Sequence, residues 1–169
     1  MKSVSKGGTF MIKAGLVRVD SRLLHGQVVT RWIGQTNAKE VIIFDDALAN
    51  DDFMIEVFQM AAPSGVTLIV KSIDEIPEFL SDRGLNNSII LFKSIPMVLK
   101  AMTTGIKFER LQIGGIGGGP DRTVVFKNIT LTKDEFDELI KLQQDGTDIY
   151  LQTVPEEREV KLEDIKNKF

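Results

Sequence analysis

Short β-rich runs alternate with amphipathic helical stretches along almost the whole chain, and that alternation admits few folds. Successive strand-helix-strand units bury both faces of a parallel sheet under helices. The reading is therefore α/β: an open, mostly parallel, doubly wound sheet of about seven strands with helices on both faces. Strands are predicted at Ile12 to Val19, Val41 to Asp45, Thr67 to Lys71, Ser88 to Phe92, Arg110 to Ile113, Val124 to Ile129 and Asp148 to Thr153. Helices are predicted at Gly26 to Gln35, Asp51 to Ala61, Ile73 to Ser81, Pro96 to Thr104 and Lys133 to Gln144, with a short one near Leu162 to Lys168. Local chemistry supports these limits. Asn50 or Asp51 can cap the second helix, Ser94 with Pro96 opens the fourth, and Thr132 with Glu135 forms a capping box for the fifth. Gly105 and Gly146 are placed to end helices.

With 169 residues, 43% of them hydrophobic and 27% charged, the chain can bury one good core. One domain is expected over residues 11–169, preceded by residues 1–10 (MKSVSKGGTF) as an extension or cloning scar. Charges interrupt every apolar run well short of the roughly 20 residues that span a bilayer. The absence of cysteine excludes disulfides and thiolate chemistry and suits a reducing interior. A net charge of -3 with no Lys/Arg block argues against a nucleic-acid partner.

His25 is the sole histidine. It stands in RVDSRLLHGQVVTRW (Arg18 to Trp32), where the first strand hands over to the first helix. Imidazole is the side chain whose ordinary pKa lies nearest neutrality, so it can serve as a nucleophile and then as a leaving group. Arg22 precedes His25 by three residues and Gly26 follows it. A phosphoryl group on His25 would have a helix N-terminus beneath it and a guanidinium within reach. The competing reading pairs Arg22 with Asp20 on the surface and leaves His25 as a loop residue. Gly26 permits close approach of a ligand or simply makes a turn, and Gln27 either bonds a phosphate or faces solvent. Trp32 reads as a core anchor.

Two other stretches invite functional readings. The carboxylates of DDALANDD (Asp45 to Asp52) resemble a magnesium site but suit a turn followed by a helix cap better. No metal site is expected. GGIGGGP (Gly114 to Pro120) fails as a dinucleotide fingerprint, because Pro120 stands where glycine is required and a strand follows. It reads as a mobile loop. In an open parallel sheet, ligands bind beyond the carboxyl ends of the strands. That rim would carry Asp20 to His25, Asp45 and Asp46, Ser72, Lys93 and Ser94, and the glycines from Gly114.

The segment RVDSRLLHGQVVTRW resembles the active-site segment of the enzyme IIB components of the mannose/fructose/sorbose family of bacterial sugar phosphotransferase systems. So do IIFDDALAND (Ile42 to Asp51), MAAPSGV (Met60 to Val66), LQIGG (Leu111 to Gly115) and LQTVP (Leu151 to Pro155), in order and at compatible spacing. Ser21 stands at a position often acidic in that family, and the glycine-rich loop departs from its usual pattern.

The resemblance implies a protein-phosphohistidine sugar phosphotransferase. His25 would take a phosphoryl group from a phosphorylated IIA component and pass it to a sugar presented by the membrane components IIC and IID. It implies no cofactor and no metal, because the donor is a partner protein. It also implies a cytoplasmic location with peripheral association to the transporter, an exposed His25, and a homodimer as one allowed assembly. By the same resemblance Arg22 neutralises the phosphate and Asp20 orients the loop, while Leu24, Gly26, Gln27 and Ser72 are the phosphate-binding candidates. A phosphorylation-dependent regulatory or binding module of the same fold is the alternative. The sugar remains open among mannose, fructose, sorbose and N-acetylgalactosamine.

Overall fold

Gly15 divides what reads as one strand into two. A Cβ there would lie 2.7 Å from the Asn86 carbonyl oxygen, so only glycine lets the chain pass this close. In the computed structural model, which describes residues 8–169, β1 (Phe10–Ile12) precedes this bend and β2 (Leu16–Val19) follows it. Phe10, the last residue of the expected extension, is thus the first of β1; residues 1–7 of that extension lie outside the description.

The chain continues through α1 (Gly26–Thr36), β3 (Glu40–Phe44), α2 (Asp46–Ala49), α3 (Asp52–Ala61) and β4 (Thr67–Lys71). A single 3₁₀ turn, Ile73–Glu75, leads into α4 (Ile76–Leu80), followed by β5 (Ser88–Phe92), α5 (Ile95–Met102), β6 (Ile106–Phe108) and β7 (Arg110–Ile113). Then come β8 (Thr123–Phe126), β9 (Ile129–Leu131), α6 (Lys133–Gln144), β10 (Asp148–Leu151), β11 (Val160–Lys161) and α7 (Leu162–Ile165), with a last 3₁₀ turn at Lys166–Lys168.

The principal sheet has seven strands in the order β11-β10-β7-β2-β5-β3-β4, and all neighbours are parallel except β10 and β11. Its strand count matches the expectation, but its membership does not. The predicted strand Val124 to Ile129 is a separate antiparallel hairpin of β8 and β9, because Lys127 turns through a positive φ of 46° and reverses the chain. Its place in the sheet is taken by β11. The missed strand β6 pairs only with β1, in a two-stranded parallel ribbon.

Period-2 alternation distributes the apolar side chains to the two faces. Val17, Val19, Ile42, Phe44, Ile90 and Phe92 pack on one side against Ile76 of α4, Val98 of α5, Leu139 of α6 and Ile165 of α7. Leu16, Val41, Ile43, Ile89 and Leu91 pack on the other against Val29, Trp32 and Ile33 of α1 and half-buried residues of α3. Both faces are therefore covered by helices, as near-continuous apolar strands require. Each large aliphatic side chain buried in this way contributes about 1.5–3 kcal/mol. One side chain breaks the pattern: Arg18, in the middle of β2, is 1% exposed.

β2 is the pivot of the topology. The chain leaves it toward β3 and β4 on one side, returns to β5, and then crosses to β7 on the other side. Connections diverge at the carboxyl end of β2, which opens a crevice there.

Candidate functional site around His25

The loop after β2 is held by both neighbouring strands. The Asp20 amide donates to the Phe92 carbonyl at 2.9 Å, and the Ser21 amide donates to the Gly115 carbonyl at 2.9 Å. Between these anchors the backbone turns sharply: the Leu23 amide donates to the Asp20 carbonyl at 3.0 Å, and Leu23 has a φ of 56°. The buried Leu23 and Leu24 side chains pin the loop to the α1 side of the core. His25 is then the extended N-cap of α1, and Gly26, with a φ of 47°, begins the helix. That left-handed backbone is the specific reason for glycine at position 26. The first-turn amides of α1 have no intrahelical partner, and no acidic side chain stands among them.

His25 is half-buried, with its side chain 18% exposed, where the resemblance implied an exposed residue. The reason is Asp20. Its Oδ1 accepts from His25 Nε2 at 3.1 Å and from the Arg22 backbone amide at 3.1 Å. A carboxylate only accepts, so the ring nitrogen facing it carries a proton, and in the neutral imidazole Nδ1 is the nitrogen with the lone pair. Nδ1 has no hydrogen-bond partner among the described residues.

The guanidinium that pairs with Asp20 is not that of Arg22. The other Asp20 oxygen, Oδ2, accepts from Arg18 at 3.2 Å, and both side chains are 2% exposed. The Arg18 guanidinium also donates to Gln112 Oε1 at 2.5 Å and to the carbonyls of Gln152 and Thr153 at 2.9 and 3.3 Å. Trp32 covers it, with its ring centroid 5.4 Å from Arg18 Cζ, and the indole donates to the Thr153 carbonyl at 3.2 Å. Trp32 is the core anchor expected of it. Burial draws the Arg18 guanidinium below its ordinary value, and the Asp20 charge opposes that shift. Freed from Asp20, the exposed Arg22 guanidinium makes no ion pair or hydrogen bond with the described residues.

The glycines after β7 complete the wall. A Cβ on Gly115 would lie 2.9 Å from Asn128 Nδ2 and 3.9 Å from Asp20 Oδ1, so the backbone is tightly enclosed there. Gly114 and Gly115 are buried, and only Gly117 to Pro120 are exposed, so the stretch expected to be a mobile loop divides into a packed half and a solvent-facing half. Two clefts flank the loop and share Ser21 and Lys93. One runs between Arg22, Leu48 and Phe58, the other between Ser94, Gly118 and Arg122.

Asp20, Arg22, Leu24, His25 and Gly26 are thus brought together on one loop. Ser72 is not among them. It follows β4, the edge strand three places from β2, and both its amide and hydroxyl donate to Glu75 Oε2 at 2.8 and 3.0 Å. It caps a helical turn instead of facing His25, which corrects its assignment to phosphate. The side chain of Gln27 lies outside the described residues. The aspartates of DDALANDD serve the turn-and-cap reading: Asp45 caps α2, Asp51 caps α3, and Asp46 joins the Ile73 amide to Lys100. Sequence reasoning missed Arg18, Gln112, Gln152 and Thr153. The available signal was a lone charge inside the otherwise apolar strand LVRV.

The model of a known family, described as the sorbose subfamily IIB component of the phosphotransferase system, matches residues 14–169. A sorbose-specific EIIB component of Lacticaseibacillus casei is 30% identical over 141 residues, covering 82% of this chain and 86% of that protein. A mannose-specific EIIAB component of Escherichia coli K12 is 27% identical over 161 residues; this chain spans about half of its length, 49%. Among solved structures, manxB from Thermoanaerobacter tengcongensis is 32% identical with a TM-score of 0.84, covering 96% of this chain and 99% of that one. The IIBSor domain of the sorbose permease from Klebsiella pneumoniae is 27% identical with a TM-score of 0.83, covering 94% and 99%.

Proposed function

The chain belongs to the sorbose-subfamily IIB components of the phosphotransferase system, the phosphoryl-transfer subunits of sugar uptake, and from that membership we propose that His25 is the residue that carries the phosphoryl group. The observation that carries the proposal is the contact between Asp20 and His25 Nε2, which leaves Nδ1 as the nucleophilic atom. In the first transfer, the P–N bond of a phosphohistidine on the IIA component breaks and a P–N bond to Nδ1 forms. The proton on Nε2 stays, so the ring becomes cationic, and the Asp20 carboxylate faces that new charge. In the second transfer, the bond from Nδ1 to phosphorus breaks as a sugar hydroxyl attacks, and the hydroxyl proton is lost to solvent.

The same reading gives Arg22 and the first-turn amides of α1, those of Gly26 and Gln27 included, the task of holding the transferring phosphate. Leu24 belongs to it through the backbone of its loop. On this reading the phosphoryl donor is a phosphohistidine of a partner protein, so no nucleotide is consumed. The partners on this reading are a phosphorylated IIA component and the membrane components IIC and IID, on which the chain docks from the cytoplasmic side. No helix among the described residues is long and apolar enough to cross a membrane itself. Residues 11–169 act as one IIB domain.

Intact mass measured after incubation with phosphoenolpyruvate, the two general phosphotransferase proteins and a cognate IIA tests this, with His25→Ala alongside. One acid-labile phosphate on the parent chain and none on a folded His25→Ala is the expected result. Phosphate retained by the variant, or none gained by the parent from a charged IIA, overturns it. Release of the phosphate to a sugar when IIC and IID are added separates a transport subunit from a regulatory module.

A further inference from the structure

We infer that Arg18 is a positioning residue for phosphoryl transfer, acting on His25 entirely through Asp20. The inference rests on the assignment of His25 as phosphocarrier. A positive charge in the middle of a parallel strand, 1% exposed, is costly to bury and demands an explanation. Its contacts supply one. Gln112 on β7 and the carbonyls of Gln152 and Thr153 after β10 fix the guanidinium from one side, and the Trp32 ring covers it. What remains is a single charged contact, to Asp20 Oδ2 at 3.2 Å.

That contact leaves Oδ1 aimed at the loop, where it meets His25 Nε2 and the Arg22 amide. A carboxyl group has two oxygens and one plane. Fixing Oδ2 on a rigid strand therefore fixes where Oδ1 points, and with it the imidazole tautomer. Arg18 also compensates the Asp20 charge, which at 2% side-chain exposure has little water to do so. Without Arg18 the carboxyl group would lose both its anchor and its counter-charge. His25 would then distribute its proton over both nitrogens, and Nδ1 would offer a lone pair only part of the time.

Gly114 shows that the arrangement excludes alternatives. A Cβ there would lie 2.3 Å from Arg18 Cζ and 2.4 Å from its terminal nitrogen, so the guanidinium occupies the space of a side chain. Of the groups that hold the Arg18 guanidinium, Asp20 is the one that itself bonds His25 among the described residues. The influence of Arg18 on the imidazole therefore runs through Asp20.

The test uses Arg18→Met, Asp20→Asn and the double variant, which removes both charges and leaves no buried ion unpaired. Because His25 is the sole histidine, the imidazole ¹⁵N spectrum of the untagged chain reports it alone. The parent should show protonated Nε2 and unprotonated Nδ1, and each variant a mixture of tautomers. Phosphate uptake from charged IIA should slow on the order of 10- to 100-fold in Asp20→Asn, and adding Arg18→Met to it should slow uptake no further. A parent-like tautomer in folded Arg18→Met, or a double variant slower than Asp20→Asn by a further factor of ten, overturns the inference. Should Arg18→Met alone fail to fold, the double variant against Asp20→Asn decides the matter. The tautomer measurement needs no phosphoryl donor, so failure of the phosphocarrier assignment would show in the parent's uptake and not in its spectrum.

Discussion

Gly114 and Arg18 occupy one space: the Cβ that Gly114 lacks would lie 2.3 Å from Arg18 Cζ. Gly114→Ala must therefore push a buried guanidinium off Asp20 or spread β7 from β2. We expect a loss of about 1–3 kcal/mol in urea unfolding together with slower phosphate uptake. Gly117→Ala, in open space and without a positive φ, should stay within about 0.5 kcal/mol of the parent. Equal effects at the two positions would refute this account of the loop.

Arg22 presents the opposite case, an arginine whose backbone is used and whose charge is not. Its amide donates to Asp20, while its exposed guanidinium has no partner among the described residues. Arg22→Gln should leave stability within about 0.5 kcal/mol of the parent and slow phosphate uptake on the order of 10- to 100-fold. An unchanged uptake rate would remove Arg22 from the phosphate site.

Ser72 should behave as a structural residue. Its hydroxyl takes part in a capping box with Glu75, so Ser72→Ala should cost about 1 kcal/mol and leave phosphate uptake at the parental rate. A loss of uptake without a loss of stability would return Ser72 to the catalytic rim.

Glu40 predicts part of the acid response of the fold. Burial pushes its carboxyl up, but hydrogen bonds from Arg83 at 2.6 Å and Ser88 at 2.6 Å outweigh burial and hold it below its ordinary value of 4.5. A carboxyl depressed in the folded state adds stability that is complete above its unfolded value and is lost as pH falls through the folded one. The parent should therefore lose stability as pH drops below about 4.5, and Glu40→Gln should fall less steeply over that window in urea midpoints. Parallel pH curves for the two proteins would show that Glu40 contributes nothing to it.

Strand and helix periodicity, the helix caps and the loop that carries His25 were legible in the sequence because each depends on near neighbours. Asp51, Ser94 and the Thr132–Glu135 box cap their helices as read, and α6 spans Lys133–Gln144 as predicted. Lys127 and Asn128 hid a hairpin turn that lacks the usual glycine, so β8 and β9 read as one strand. Strand order was beyond reach, since pairing is settled by packing among distant segments. For that reason the sequence places Ser72 at a strand end but cannot show that β4 lies three places from β2 in the sheet.

The choice of partner for Asp20 shows the division most clearly. Arg18 and Arg22 each stand two residues from it, and spacing alone cannot choose between them. By itself the sequence determined that an acid, a nearby arginine and the sole histidine would meet at the end of β2. Only the tertiary structure decided that Arg18 is the buried partner, because Gln112 and Gln152, 94 and 134 residues away, and the Trp32 ring build a pocket that holds its charge. That burial leaves the Arg22 guanidinium exposed and without a partner among the described residues, as the proposed phosphate contact requires.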